Sequence, residues 1–91
     1  MNKAQLIEHL ASETGLTKAD TERVLNSTLR HIKDSVKGSD DVTLVGFGTF
    51  TQLNRKPRMA RNPRTGEPMQ VPGSTVPKFR AGKAFLEDLS I

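Results

Sequence analysis

All five prolines of this chain, at positions 57, 63, 68, 72 and 77, fall in one stretch whose remaining residues alternate in the manner of β-strands. Proline has no N–H to give a ladder and clashes with the preceding turn of a helix, so it is confined to edge strands, turns and strand ends. The stretch is therefore expected to form an edge ribbon that projects from the body: one strand running from Thr49 through Gln52 to Arg58, and a returning strand from Met69 through Phe79. Between them Asn62 suits the first position of a turn, Pro63 presets φ for the second, and Gly66 can take the left-handed conformation that closes a hairpin.

Before the ribbon, apolar spacing has a helical period. Asn2 and Gln5 have the form of a capping box, Leu6, Ile7, Leu10 and Ala11 recur on one face, and Gly15 is a C-terminal stop, so a first helix is expected from Lys3 to Thr14. Thr17 with Asp20 begins a second, longer helix whose stripe of Val24, Leu25, Leu29, Ile32 and Val36 ends at Gly38. At Asp41 the period changes to two, with Val42 to Val45 and Thr49 to Thr51 flanking a Gly46-Phe47-Gly48 turn, and Ala81 to Leu89 reads as a short closing helix. The expected class is α+β in one domain, residues 1–91. Residues 1–38 would form a helical hairpin, 41–80 a three-stranded antiparallel sheet with an arm at about 53–75, and 81–91 the C-terminal helix.

With 91 residues, 34% of them hydrophobic, four Phe and neither Trp nor Tyr, a single core would supply only a few kcal/mol, so association between chains is expected. No cysteine is present, which excludes disulfides and thiolate metal sites and makes a reduced cytoplasm the default. The N-terminal residues lack the apolar run of a signal peptide, and nowhere do enough apolar residues occur together to span a bilayer.

Charge is segregated along the chain. Residues 53 to 83 hold Arg55, Lys56, Arg58, Arg61, Arg64, Lys78, Arg80 and Lys83 against Glu67 alone, net +7, whereas the remainder holds six cations and nine acids, net −3. A run of like charge is often only a solvated face. Five cations without an acid from Arg55 to Arg64, on a ribbon with few large apolar groups, nevertheless point to a polyanionic partner, nucleic acid ahead of an anionic membrane.

Four separated motifs resemble the bacterial histone-like HU and integration host factor family: MNKAQLI at the start, DDVTLVGFGTF at 40–50, RNPRTG at 61–66 and VPKFRAGKA at 76–84. The resemblance covers essentially the whole chain, and the first and last motifs lean towards HU. It implies an intertwined dimer whose two arms embrace double-stranded DNA in a bacterial, nucleoid-associated setting. It further implies minor-groove binding with little sequence preference, and a preference for bent, nicked or gapped duplexes. A homodimer is the expected assembly, with a heterodimer of homologous subunits as the alternative, and RNA is a secondary partner to be tested.

On matching positions, Pro63 would be the apolar wedge that enters a base step, with Arg61 and Asn62 beside it in the groove. Arg55, Arg58 and Arg64 would contact phosphate or groove, Gly46 and Gly48 would bring backbone amides to a phosphate, and Arg80 and Lys83 would add charge near the last helix. Leu29, Leu44, Phe47, Phe50 and Phe79 would form core and dimer interface. Where the family commonly has a glycine before Arg-Asn-Pro this chain has Ala60 after Met59, which implies a stiffer or differently kinked arm. Leu53 and Leu86 stand where many relatives carry a cation, so fewer phosphate contacts are expected there.

Other classes find less support in the residues. His9 and His31 lie on different helices with no further ligand nearby, and Gly46-Phe47-Gly48 lacks the third glycine and following helix of a dinucleotide site, so neither catalysis, metal nor cofactor is expected. A helix-turn-helix centred on Gly15 would place Asp20 and Glu22 where phosphate and base contacts belong. A protein-binding scaffold with an acidic partner, or an integration-host-factor-like reader of defined sites, is separable from nonspecific duplex binding by salt dependence and by sequence series.

Overall fold

The computed structural model describes residues 1–90. In chain order the elements are α1 (Lys3–Thr14), α2 (Lys18–Lys37), β1 (Val42–Leu44), β2 (Gly48–Arg55), β3 (Arg58–Arg61), β4 (Pro68–Val71), β5 (Ser74–Ala81) and α3 (Lys83–Leu89). Compact units divide between Asp34 and Ser35.

In the first unit, helix ends are set by local polar groups. The Gln5 N–H donates to Asn2 Oδ1 at 2.9 Å and the Asn2 N–H to Gln5 Oε1 at 3.0 Å, so the capping box read from the sequence is formed. Gly15, at φ 76°, ends α1 and donates to the Ala11 carbonyl at 3.0 Å. The Asp20 N–H donates to Thr17 Oγ1 at 3.1 Å and starts α2, and Thr21, itself buried, returns its hydroxyl to the Thr17 carbonyl at 2.8 Å.

The second unit opens with the last turn of α2, and here the left-handed residue is Ser39 at φ 62°, not the adjacent Gly38. Its neighbour Asp40 donates to the Ser35 carbonyl at 2.8 Å, closing the helix end. Gln52 of β2 is the brace: its Oε1 accepts from the Ser39 hydroxyl at 3.2 Å and its Nε2 donates to the Val36 carbonyl at 3.3 Å. A strand side chain thus adds a second bond to a helix-end carbonyl that already accepts from the Ser39 N–H at 3.0 Å.

Five strands form two antiparallel sheets: β1-β2-β5 with β2 central, and the pair β3-β4. Long strands from Thr49 to Arg58 and from Met69 to Phe79 are expected from alternation alone, but each is broken in two. Pro57 lies in the gap between β2 and β3, and Pro72 and Gly73 lie in the gap between β4 and β5. Proline interrupts the ladder, and Gly73 lets the two sides meet: a Cβ there would lie 2.8 Å from the Arg55 carbonyl oxygen and 3.0 Å from Pro57 Cδ. The separate ribbon is accordingly Arg58–Val71, shorter than the expected 53–75. Leu53 to Arg55 remain in the main sheet, paired with Val76 to Ser74. The closing helix begins at Lys83 rather than Ala81, because Ala81 ends β5 and Gly82 is the N-cap. Ile91, the last residue of the expected helix, lies outside the described residues.

All four phenylalanines gather on one side of the main sheet. Phe79 is 4.8 Å from Phe50 and 5.1 Å from Phe47 between ring centroids, and Phe47 stacks on Phe85 of α3 at 5.3 Å. Such pairs contribute about 0.5–1.5 kcal/mol beyond area burial. Buried Gly48 makes the arrangement feasible, since a Cβ there would lie 2.5 Å from the Phe79 ring and from the Arg80 carbonyl oxygen. Gly48→Ala is expected to cost about 1–3 kcal/mol by forcing the ring and strand apart. Denaturant unfolding tests this, and a midpoint equal to that of the parent chain would show that the ring can move at no cost.

Candidate nucleic-acid interface

Successive side chains of a strand point to opposite faces, so the register sorts the main sheet into two. Val42, Leu44, Gly48, Phe50, Phe79 and Ala81 share the apolar face. Thr43, Thr49, Thr51, Leu53 and Arg55 lie on the other, opposite Arg80, Lys78, Val76 and Ser74 of β5. The polar bonds agree: Thr49 Oγ1 donates to Thr43 Oγ1 at 3.3 Å and Thr51 Oγ1 to Asp41 Oδ1 at 2.6 Å. Arg55, Lys78 and Arg80 therefore project from one threonine-lined surface. Leu53 pairs with Val76 in the middle of it, an apolar band where a cation would otherwise extend the charge.

Beyond the Pro57 and Gly73 junction the ribbon carries the charge outward. Arg58 pairs with Val71, Met59 with Gln70, Ala60 with Met69 and Arg61 with Pro68. Arg58 consequently shares a face with Ala60, Met69 and Val71, and Arg61 shares the opposite face with Met59, Pro68 and Gln70, so cations flank the ribbon on both sides. Ala60 occupies an ordinary ladder position without positive φ, where a glycine has no conformational advantage. The ion pairs among the described residues are Asp20–Arg23 and Lys83–Glu87, both exposed, which leaves Arg55, Lys56, Arg58, Arg61 and Arg64 without a carboxylate partner there.

At the tip, main chain and side chains close a small cage. The Asn62 carbonyl accepts from the Gly66 N–H at 2.8 Å, and the Asn62 N–H donates to the Glu67 carbonyl at 2.8 Å. Gly66 takes the left-handed conformation, φ 73°, as expected. Asn62 Oδ1 accepts from the Arg64 N–H at 2.8 Å, and Arg61 Nη1 donates to the Gly66 carbonyl at 3.2 Å. Pro63 stands exposed at the apex of this turn. Because its carbonyl oxygen is engaged, Asn62 keeps its two amide hydrogens as free donors, suited to the acceptors that every base pair presents in the minor groove.

Gly46 lies in the β1–β2 turn at φ 83° with open space where a side chain would be, so it is required by conformation. Gly48, by contrast, is required by the Phe79 ring. Lys83 heads α3 with its Nζ 3.9 Å from Glu87. The structure brings Arg55 and Arg80 together on one sheet face and adds Lys78, which the sequence-based site omitted although its spacing of two from Arg80 is the signal for a shared face. Asn62 closes the turn at whose first position it was expected, whereas the bond from Arg61 to the Gly66 carbonyl had no such local signal.

Residues 1–90 match the family described as bacterial DNA-binding protein. The chain belongs to that family. It is similar to DNA-binding protein HU-beta of Neisseria meningitidis, 46% identical over 89 residues covering 98% of this chain and 100% of that protein. HU-beta of Serratia marcescens is 46% identical over 85 residues, 93% of this chain and 94% of the relative. Among solved structures, an Anabaena HU–DNA cocrystal structure superposes with a TM-score of 0.89 at 43% identity, covering 99% of this chain and 98% of that one. Within this family member the tip cage makes its own forecast. Asn62→Ala leaves the Arg64 N–H without its acceptor and is expected to cost about 0.5–1.5 kcal/mol locally, speeding amide exchange at Gly66 roughly 2- to 10-fold. Unchanged exchange would mean that the main chain alone holds the turn.

Proposed function

We propose that this chain is a histone-like architectural protein that binds double-stranded DNA through the minor groove with little sequence preference, bends it and compacts it. The observation that carries the reading is the continuity of uncompensated cations from the sheet face at Arg55, Lys78 and Arg80, along both faces of the ribbon, to a preclosed tip with Pro63 at its apex. Phosphates supply the missing counter-charge, and release of their counterions drives association. The exposed pyrrolidine ring enters a base step, and unstacking that step costs on the order of a few kcal/mol, offset by contacts along the bent duplex. No step of this function is catalytic.

The working form is a dimer. Taken alone, the chain buries few apolar side chains, Ala11 and Val36 among the described residues, while Leu29, Leu44 and Phe47 stay 41–43% exposed and Phe79 38%. Faces of that kind call for a second chain, and the family resemblance makes that chain an intertwined copy, so that two arms reach one duplex. No helix among the described residues is long and apolar enough to cross a membrane. The proposed setting is the bacterial nucleoid.

The test is a binding series on intact, nicked and gapped duplexes, on single candidate sites and on RNA, at several salt concentrations. Tighter binding to nicked and gapped DNA with a steep salt slope is expected, and a thousandfold preference for one sequence would replace this reading with that of a site reader. Arg58→Ala is expected to weaken binding to all sequences and flatten the log-log salt slope by about 1, one phosphate's share. Pro63→Ala is expected to keep most of the salt-dependent affinity yet reduce the bend measured by energy transfer between labelled duplex ends. A bend unchanged by that substitution would remove the wedge from the mechanism.

A further inference from the structure

The side chains most open to two-electron oxidation are concentrated on the DNA-binding ribbon. The chain has no Cys, Trp or Tyr and three methionines, of which Met59 and Met69 both lie in the β3–β4 pair. Met59 is 65% exposed and Met69 44%. The register sets them on opposite faces, Met59 beside Arg61 and across from Gln70, Met69 across from Ala60 and beside Val71. Whichever face of the ribbon turns to the groove floor, one thioether is presented to it together with a cation.

We propose that Met59 and Met69 are sites of reversible oxidation by hydroperoxides, and that their sulfoxides loosen the grip of the arm on DNA; the second half rests on the DNA reading above. In the reaction the thioether sulfur attacks the peroxide, an S–O bond forms as the O–O bond breaks, sulfur gives up two electrons, and the reduced oxygen leaves as water or an alcohol. Return to the thioether needs a thiol-dependent sulfoxide reductase as co-reactant. The thioether is soft and apolar and fits the sugar C–H walls of a minor groove, whose floor carries acceptors in every base pair. A sulfoxide oxygen is itself an acceptor. It sets like against like in the groove, and it offers the neighbouring guanidinium an internal partner that competes with phosphate.

Limited treatment of the full chain with hydrogen peroxide, peptide mass mapping and titration of a labelled nicked duplex test this. Met59 is expected to oxidise ahead of Met69, in the order of exposure, and affinity is expected to fall about 3- to 10-fold and return after reductase treatment. The variant carrying Met59→Leu and Met69→Leu, a substitution that conserves volume, is expected to show no loss of affinity on peroxide treatment relative to its own untreated sample, although Met1 still oxidises. Full conversion of both methionines without loss of affinity would overturn the proposal, as would an equal loss in the double variant. An untreated chain that binds no duplex would overturn the DNA reading itself, and this proposal with it.

Discussion

The missing side chain at Gly48 is the constraint on which the rest of the second unit depends. The Phe79 ring occupies the place where a Cβ would be, and from there touches Phe50 and Phe47, while Phe47 carries Phe85 of the last helix. One aromatic cluster therefore ties β2, β5, the β1–β2 turn and α3 into one base. The Gly82 N–H adds a main-chain bond to the Phe47 carbonyl at 2.9 Å. Because β2 and β5 are the strands that lead into the ribbon, the placement of the cations on them is inherited from this packing.

Alternation then separates the two tasks of the sheet. One face is apolar and is used for packing; the other presents threonines and cations to water. The same alternation explains why charge and aromatic residues can be neighbours in sequence, as in Lys78-Phe79-Arg80, without competing for one environment. On the ribbon there is no packed face, and the alternating rule instead distributes Arg58 and Arg61 to opposite sides. A cationic rod results from the same pattern that elsewhere gives a one-sided sheet.

Much of this was legible in the residues themselves. The bounds of α1 follow from Asn2, Gln5 and Gly15, and the start of α2 from Thr17, because caps act over three or four residues. The α+β order, the left-handed Gly66 and the cationic arm were legible for the same reason. What escaped depends on partners distant in sequence. Alternation continues past Pro57 and Pro72, and the break there is decided by the contact of Pro57 with Gly73 across the ribbon. Left-handed Ser39 is accommodated beside Gln52, thirteen residues on, and no local preference would choose serine over the glycine beside it. Lys78 is a different case: its spacing of two from Arg80 already marks a shared face, and the register adds only that this face is the one that carries Thr51 and Arg55.

Prolines at the ribbon also limit the addition of one chain's strand to another's. A two-stranded ribbon has two open edges, and β5 is itself an outer strand of the main sheet, so unpaired main-chain groups run along much of the second unit. Such edges are templates on which another chain can add a strand and begin an aggregate. Pro68 in β4 and Pro77 in β5 each delete a donor from an edge, Pro57 and Pro72 interrupt the run, and the repulsion between arms of like charge does the remainder. A high concentration of these chains can then remain dispersed until a polymer of opposite charge, rather than another ribbon, meets the arm.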